Sequence, residues 1–227
     1  MDVQNQINQA KEFDRSGREA TGAGNFGKAA ECFDKAAGIY QGIDDRINQA
    51  LQLFNQGGCY QALKKSDQAL DVYKKSYDLM KDNEKLMEYQ AMILNNLGHL
   101  YVSIKDYEQA FSSFEKACGV YEAIKDENGK AFQLQNMGSV HRDLQESDKA
   151  LGLYFQSIAG FEKTGNRHGE ADQCTNIAYI YAVDKNAEEA LKWYKRALGI
   201  YVDIHESQKA DLTQKNIDQL ERLKKKF

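Results

Sequence analysis

Between residues 94 and 121 the apolar pattern breaks once and then resumes. Leu94, Leu97, Gly98 and Tyr101 recur at the three-and-four spacing of one helix face. "SIKD" at 103–106 interrupts them, and Ala110, Phe114, Ala117 and Tyr121 take up the spacing again. The pattern predicts two helices joined by a tight turn. Asp106 stands where an N-cap would start the second helix, as do Asn25 and Ser147 in equivalent places, because a short side-chain oxygen can accept from the first free N–H groups of a helix.

The same hairpin is written five times. Ala29, Ala69, Ala110, Ala150 and Ala190 are separated by 40, 41, 40 and 40 residues. In the same register stand Gly17, Gly57, Gly98, Gly138 and Ala178, and likewise Phe33, Tyr73, Phe114, Tyr154 and Tyr194. Ala10, Ala50, Ala91, Ala131 and Ala171 form another set, and Ala36, Ser76, Ala117, Ser157 and Ala197 a further one. Small positions let two helices approach closely, and the aromatics fill the space left between them. Residues 205–227 continue with Leu212, Ile217, Leu220 and Leu223, which predicts a last helix covering the exposed end of the stack.

These offsets of a large apolar residue, Leu-Gly, Tyr, Ala, an aromatic and Ala resemble the tetratricopeptide repeat family, over residues 10–204, or 195 of the 227. The resemblance implies an all-α, right-handed α-solenoid of five helix-turn-helix repeats plus a C-terminal capping helix. The expected repeats are 2–44, 45–83, 84–126, 127–166 and 167–205, with the cap at 206–227. Such a hairpin cannot bury its apolar face alone, so a single domain over 1–227 without a flexible linker is expected. The common repeat has about 34 residues and often ends in proline. This chain has longer units and no proline, and is similar to the long-repeat subtype of kinesin light chain and Pins-type proteins.

Composition narrows the functional classes. A chain with no proline and 28% charged residues favours helices joined by short turns. A net charge of -4 offers no general reason to bind nucleic acid, and the terminal Lys224–Lys226 run reads as a solvated helix end opposing the helix dipole. No window approaches the roughly 18 apolar residues of a membrane span, and the start lacks a secretory signal, so a cytoplasmic protein without membrane insertion is expected. Cys32, Cys59, Cys118 and Cys174 form no C-x-x-C and are expected to be buried free thiols.

"GAGNFGKA" at 22–29 has the spacing of a phosphate-binding loop, but the repeat register puts it at the turn after a helix rather than after a strand. Its last position is the packing residue Ala29 instead of a hydroxyl. His99, His141, His168 and His205 lie in different units, and His141 takes a place held by Tyr60, Tyr101 and Tyr181, as a packed aromatic substitute. No catalytic or metal constellation emerges, so neither an enzyme nor a cofactor is expected.

One polar series runs through the pattern: Asn55, Asn96, Asn136, Asn176 and Asn216, spaced by 41, 40, 40 and 40. An asparagine inside a helix is about 0.5–0.7 kcal/mol worse than alanine, so five in register call for a compensating interaction. Met92, Asn96, His99 and Ser103 fall on a stripe distinct from the packing stripe. The resemblance implies that this stripe is a concave groove whose asparagines bond the backbone of an extended peptide, since an amide both donates and accepts. The other reading has them bond neighbouring helices and hold the stack together. Leu51, Met92, Phe132, Leu212, Tyr179 and Val183 would add apolar pockets. Lys11, Arg15 and Arg18, on one face of the first helix, would add positive charge for a carboxylate or acidic side chain, or form a solvated face with Glu12, Asp14 and Glu19. The chain therefore reads as a non-catalytic adaptor for an extended protein segment. The alternative is a self-associating scaffold whose exposed apolar residues are contacts between copies.

Overall fold

The computed structural model describes residues 2–224. Among the described residues there are eleven α-helices, one short 3₁₀ turn and no strand. The chain divides into two compact units, residues up to Val120 and residues from Tyr121 on.

The first unit contains α1 (Val3–Gly22), α2 (Phe26–Gly42), α3 (Arg46–Ala62), α4 (Ser66–Met80), α5 (Met87–Ser103) and most of α6 (Tyr107–Ala123). Within it α1 packs on α2, α2 on α3, α3 on α4 and α4 on α5. The second unit contains α7 (Glu127–Asp143), α8 (Ser147–Thr164), α9 (Arg167–Val183), α10 (Ala187–Asp203) and α11 (Ser207–Lys224), again packed in chain order, with α7 also touching α9. Lys224 closes α11; Lys225 and Lys226 lie outside the described residues.

One turn is built nine times. In each, a residue with positive φ follows the helix and the next residue caps the helix ahead. The left-handed positions are Gly24, Asp44, Lys64, Lys105, Lys125, Gln145, Gly165, Lys185 and His205. The capping residue's N–H bonds the carbonyl five residues back: Lys65 to Tyr60 at 2.9 Å, Asp106 to Tyr101 at 2.9 Å, Asn186 to Tyr181 at 2.8 Å. Such a bond closes the helix end by satisfying a carbonyl the helix leaves free. Asn25 and Asp106 cap as expected, accepting from the N–H of Lys28 and Gln109. Ser147 differs: Glu146 holds the cap position, and Ser147 opens the helix with its hydroxyl donating to Asp184 at 3.2 Å. The stretch at 22–29 is such a turn, following α1, so it does not have the strand-to-helix setting of a phosphate loop.

The register sets form the core. Phe33 packs with Ala20, Ala29, Ala30 and Cys59 in the first unit, and Tyr154, Ile158, Cys174, Ile177 and Tyr201 pack together in the second. At Gly98 an added Cβ would stand 2.4 Å from the ring of Phe114, so the glycine is required by close approach. Ser76 and Ser157, fully buried, donate to the carbonyls of Ala50 and Ala131 at 2.7 and 2.8 Å, tying two helices of a pair. No disulfide joins the cysteines among the described residues; Cys32, Cys59 and Cys174 are buried, but Cys118 on α6 is only half-buried, contrary to expectation. It follows Ala117 directly and so stands about 100° around α6 from that buried position.

Candidate functional site

The asparagine series lies on the odd-numbered helices, and each of its members is half-buried. The packing stripe of the same helix fixes this: on α5, Leu94, Leu97, Gly98 and Tyr101 are buried, which turns Met92 and His99 outward and leaves Asn96 at the margin. Half-burial suits a polar group that is held in place and still has atoms to offer.

In the first unit, the structure gathers Arg18, Asn55 and Asn96 around one cleft of about 440 Å³ between α1 and α5. Its walls include Phe33, Phe54 and Tyr73. Phe54 stands against Tyr73 with ring centroids 5.9 Å apart and against Tyr89 edge-on at 5.9 Å. Asn96 Nδ2 donates to the Tyr73 hydroxyl at 3.1 Å, and that hydroxyl donates to Gln61 Oε1 at 3.1 Å. The relay turns the amide of Asn96 one way, so that its Oδ1 is left to accept. Burial pushes the Tyr73 phenol up to about 12, which keeps it a donor at neutral pH. Asn55 makes no side-chain hydrogen bond among the described residues.

Arg18 gives its Nε to Asp14 at 2.9 Å, and that hydrogen bond raises the guanidinium pKa further. Its terminal nitrogens keep four donors for another acceptor. Arg15 and Lys11 are exposed and do not line the cleft; Arg15 reaches Glu12 and Glu19 only at 3.7 and 4.0 Å. Leu51 is half-buried and Met92 exposed, both outside the cleft. His99 packs its ring edge-on against Phe114 at 5.1 Å, and desolvation there lowers its pKa, so it is neutral at pH 7.

In the second unit, Phe132 is 41% exposed and meets Phe161 edge-on at 4.9 Å. Asn136 and Asn216 sit on α7 and α11, and Asn176 Nδ2 donates within its own helix to Gln173 Oε1 at 3.2 Å. Tyr179 and Val183, both more than half exposed, line a second cleft of about 570 Å³ with Arg142 and Asp143. Leu212 is 61% exposed on α11. His141, read as a packed aromatic, is more than that: its Nδ1 meets Glu146 Oε2 at 2.5 Å.

Two features escaped the sequence reading. Asp172 occupies the register position of Leu51, Met92, Phe132 and Leu212, and takes hydrogen bonds from Tyr201 and Lys209, both at 2.6 Å, with His168 at 3.3 Å. Counting 40 residues on from Phe132 would have found it. Gly58 lines the first cleft beside Gly57, and only a comparison with Arg18, His99, Ser139 and Tyr179 in its register marks it as unusual. No three His, Cys, Asp or Glu side chains among the described residues stand so as to hold a metal ion, and no described helix is long and apolar enough to cross a membrane.

A family profile described as tetratricopeptide repeat matches residues 20–82 and 89–163, more than half of the chain. The chain belongs to the tetratricopeptide repeat family. A curated relative, the regulatory protein RapF of Bacillus subtilis (strain 168), is 28% identical over 101 residues, which are 43% of this chain and 26% of that protein. The crystal structure of aspartyl phosphate phosphatase F from Bacillus subtilis superposes with a TM-score of 0.80 at 18% identity, covering 93% of this chain and 55% of that one. A Rap protein complexed with competence and sporulation factor gives 0.67 at 15%, over 90% and 57%. This tetratricopeptide repeat protein thus spans about a quarter to somewhat over half of these relatives' lengths, and shares with the two solved structures its all-α repeat fold.

Proposed function

We propose that this tetratricopeptide repeat chain is a non-catalytic adaptor that takes up an extended segment of a partner protein on the asparagine-bearing faces of its odd-numbered helices. The observation that carries the proposal is the pairing of Asn55 and Asn96 at one aromatic-walled cleft, the first with its amide unengaged and the second with its Nδ2 committed to Tyr73 and its Oδ1 left to accept. Amides of this kind suit main-chain N–H and C=O groups whatever the side chains. The Rap protein complexed with competence and sporulation factor offers a precedent for this fold holding another molecule. Arg18 supports an acidic or carboxylate feature in the segment.

Peptide-display selection on the wild type and on Asn55→Ala/Asn96→Ala tests this. Enrichment of an extended motif by the wild type alone is expected; equal enrichment by the variant, with its helix content intact, contradicts it. The exposure of Met92, Phe132, Tyr179 and Leu212 favours a second reading, a scaffold of self-associating copies. Light scattering separates the two: a mass that stays monomeric across concentration supports the adaptor, and growth with concentration supports the scaffold.

A further inference from the structure

Gly57 and Gly58 stand side by side in the interior of α3, and only one of them is there for packing. A Cβ on Gly57 would lie 2.6 Å from the Tyr73 ring, whereas a Cβ on Gly58 would meet nothing nearer than the Tyr73 hydroxyl at 3.8 Å. Glycine is the poorest helix former after proline, so an exposed mid-helix glycine that no neighbour requires weakens α3 without any return inside the fold. Its return lies in the space it leaves. In the same register stand Arg18, His99, Ser139 and Tyr179, and two of these side chains lie against the aromatic that corresponds to Tyr73, His99 on Phe114 and Ser139 on Tyr154. At Gly58 no side chain takes that place, and the cleft opens onto Phe33, Phe54 and Tyr73.

We infer that Gly58 opens a side-chain pocket in the first unit that receives a bulky aromatic residue flanked by a carboxylate. This rests on the peptide reading above and adds what that reading leaves open, the side-chain chemistry. Three groups of the cleft define the occupant. Two of the aromatic walls, Phe54 and Tyr73, are already tilted against each other at 5.9 Å, a geometry in which they accept another ring. Asn96 presents an acceptor, fixed by Tyr73, for the main-chain N–H of the residue that inserts. Arg18, with only its Nε committed to Asp14, offers a charged fork for a carboxylate next to it. A volume of about 440 Å³ is within the range of pockets that bury small ligands, so one aromatic side chain and its adjoining main chain fit.

N-acetyl-L-phenylalanine carries these three features on one small molecule: a ring, an N–H and a carboxylate. Titrated into the isotope-labelled full chain, it is expected to shift the amide signals of Asn55 and Cys59 in a saturable way, while N-acetylglycine leaves them in place. Replacing the carboxylate by the amide, or Arg18→Gln, should weaken binding by about tenfold, the effect of losing one well-placed polar partner. Gly58→Leu should abolish the shifts. Gly58→Ala, which adds a single Cβ in ordinary contact with the Tyr73 hydroxyl at 3.8 Å and clashes with nothing, should melt no lower than the wild type yet bind the ring about tenfold more weakly. The inference is overturned if the wild type shows no saturable shift at the cleft, if N-acetylglycine binds as well, or if Gly58→Ala and Gly58→Leu bind like the wild type. Success of the display selection with any of these failures would leave the peptide reading standing and remove only the pocket.

Discussion

Seven of the nine repeated turns place a residue other than glycine in the left-handed region, and two of these, Lys64 at φ 57° and Lys105 at φ 62°, are exposed lysines in the first unit. For an L-residue this conformation costs about 1–2 kcal/mol, because Cβ crowds the following carbonyl oxygen. Glycine escapes that cost but loses about 0.5–1 kcal/mol more conformational entropy on folding than alanine. The difference leaves each Lys→Gly exchange stabilising by about 0.5–1 kcal/mol. The turns belong to different hairpins and their backbone bonds run to different residues, Lys64 to Gln61 and Lys105 to Val102, so Lys64→Gly/Lys105→Gly should add to about 1–2 kcal/mol. For a chain of this length that amounts to a rise in melting temperature of about 2–8 °C. Urea unfolding followed by far-ultraviolet circular dichroism reads it directly. Lys116→Gly, the same exchange on an exposed face inside α6, is the control and should cost about 1 kcal/mol. A loss of stability in the double variant, or equal effects at Lys64 and Lys116, would refute the account of the turns.

Three further predictions follow from the packing and the buried charges. Gly98→Ala puts a Cβ 2.4 Å from Phe114 and should destabilise by about 1–2 kcal/mol, overpacking outweighing the helix gain, as measured by the urea midpoint. Glu170, only 4% exposed, takes hydrogen bonds from Arg167 at 2.6 Å and Arg196 at 2.7 Å, so Arg196→Met should lower stability by about 2–3 kcal/mol, partly restored by Glu170→Gln in the same chain. Burial pushes the Cys174 thiol from 9.0 up to about 12 and the Tyr73 phenol from 10.0 up to about 12. Folding then favours the protonated forms, so the stability they contribute is complete below pH 9 and lost as pH rises from 9 towards 12; Cys174→Ala should flatten the first part of that fall in a pH series of melting curves.

The fold was legible wherever local pattern and global packing coincide. The glycine-to-aromatic approach at Gly98 and Phe114, the caps at Asn25 and Asp106, and the helix-turn-helix spacing all follow from residues that one period brings together. The turns were legible in place but not in conformation, because glycine signals a left-handed residue at Gly24 and Gly165 while lysine at 64, 105, 125 and 185 does not. Register says which face a side chain takes and nothing about whom it meets. It puts Asn96 and Asn176 in one series, yet one bonds Tyr73 on another helix and the other bonds Gln173 on its own. The division of the chain near residue 120 left no mark in the sequence, since α6 reads as any other helix of the array.

The central claim is that asparagines of this series read a main chain. The most direct test is a double cycle with the peptide enriched by display: each backbone N–H of the peptide is methylated in turn, and each analogue is titrated calorimetrically against the wild type and Asn96→Ala. The account predicts one position at which methylation weakens wild-type binding about five- to tenfold but leaves the variant unmoved, a coupling of about 1 kcal/mol. If every methylation weakens both proteins alike, Asn96 does not touch the peptide backbone and the claim is wrong.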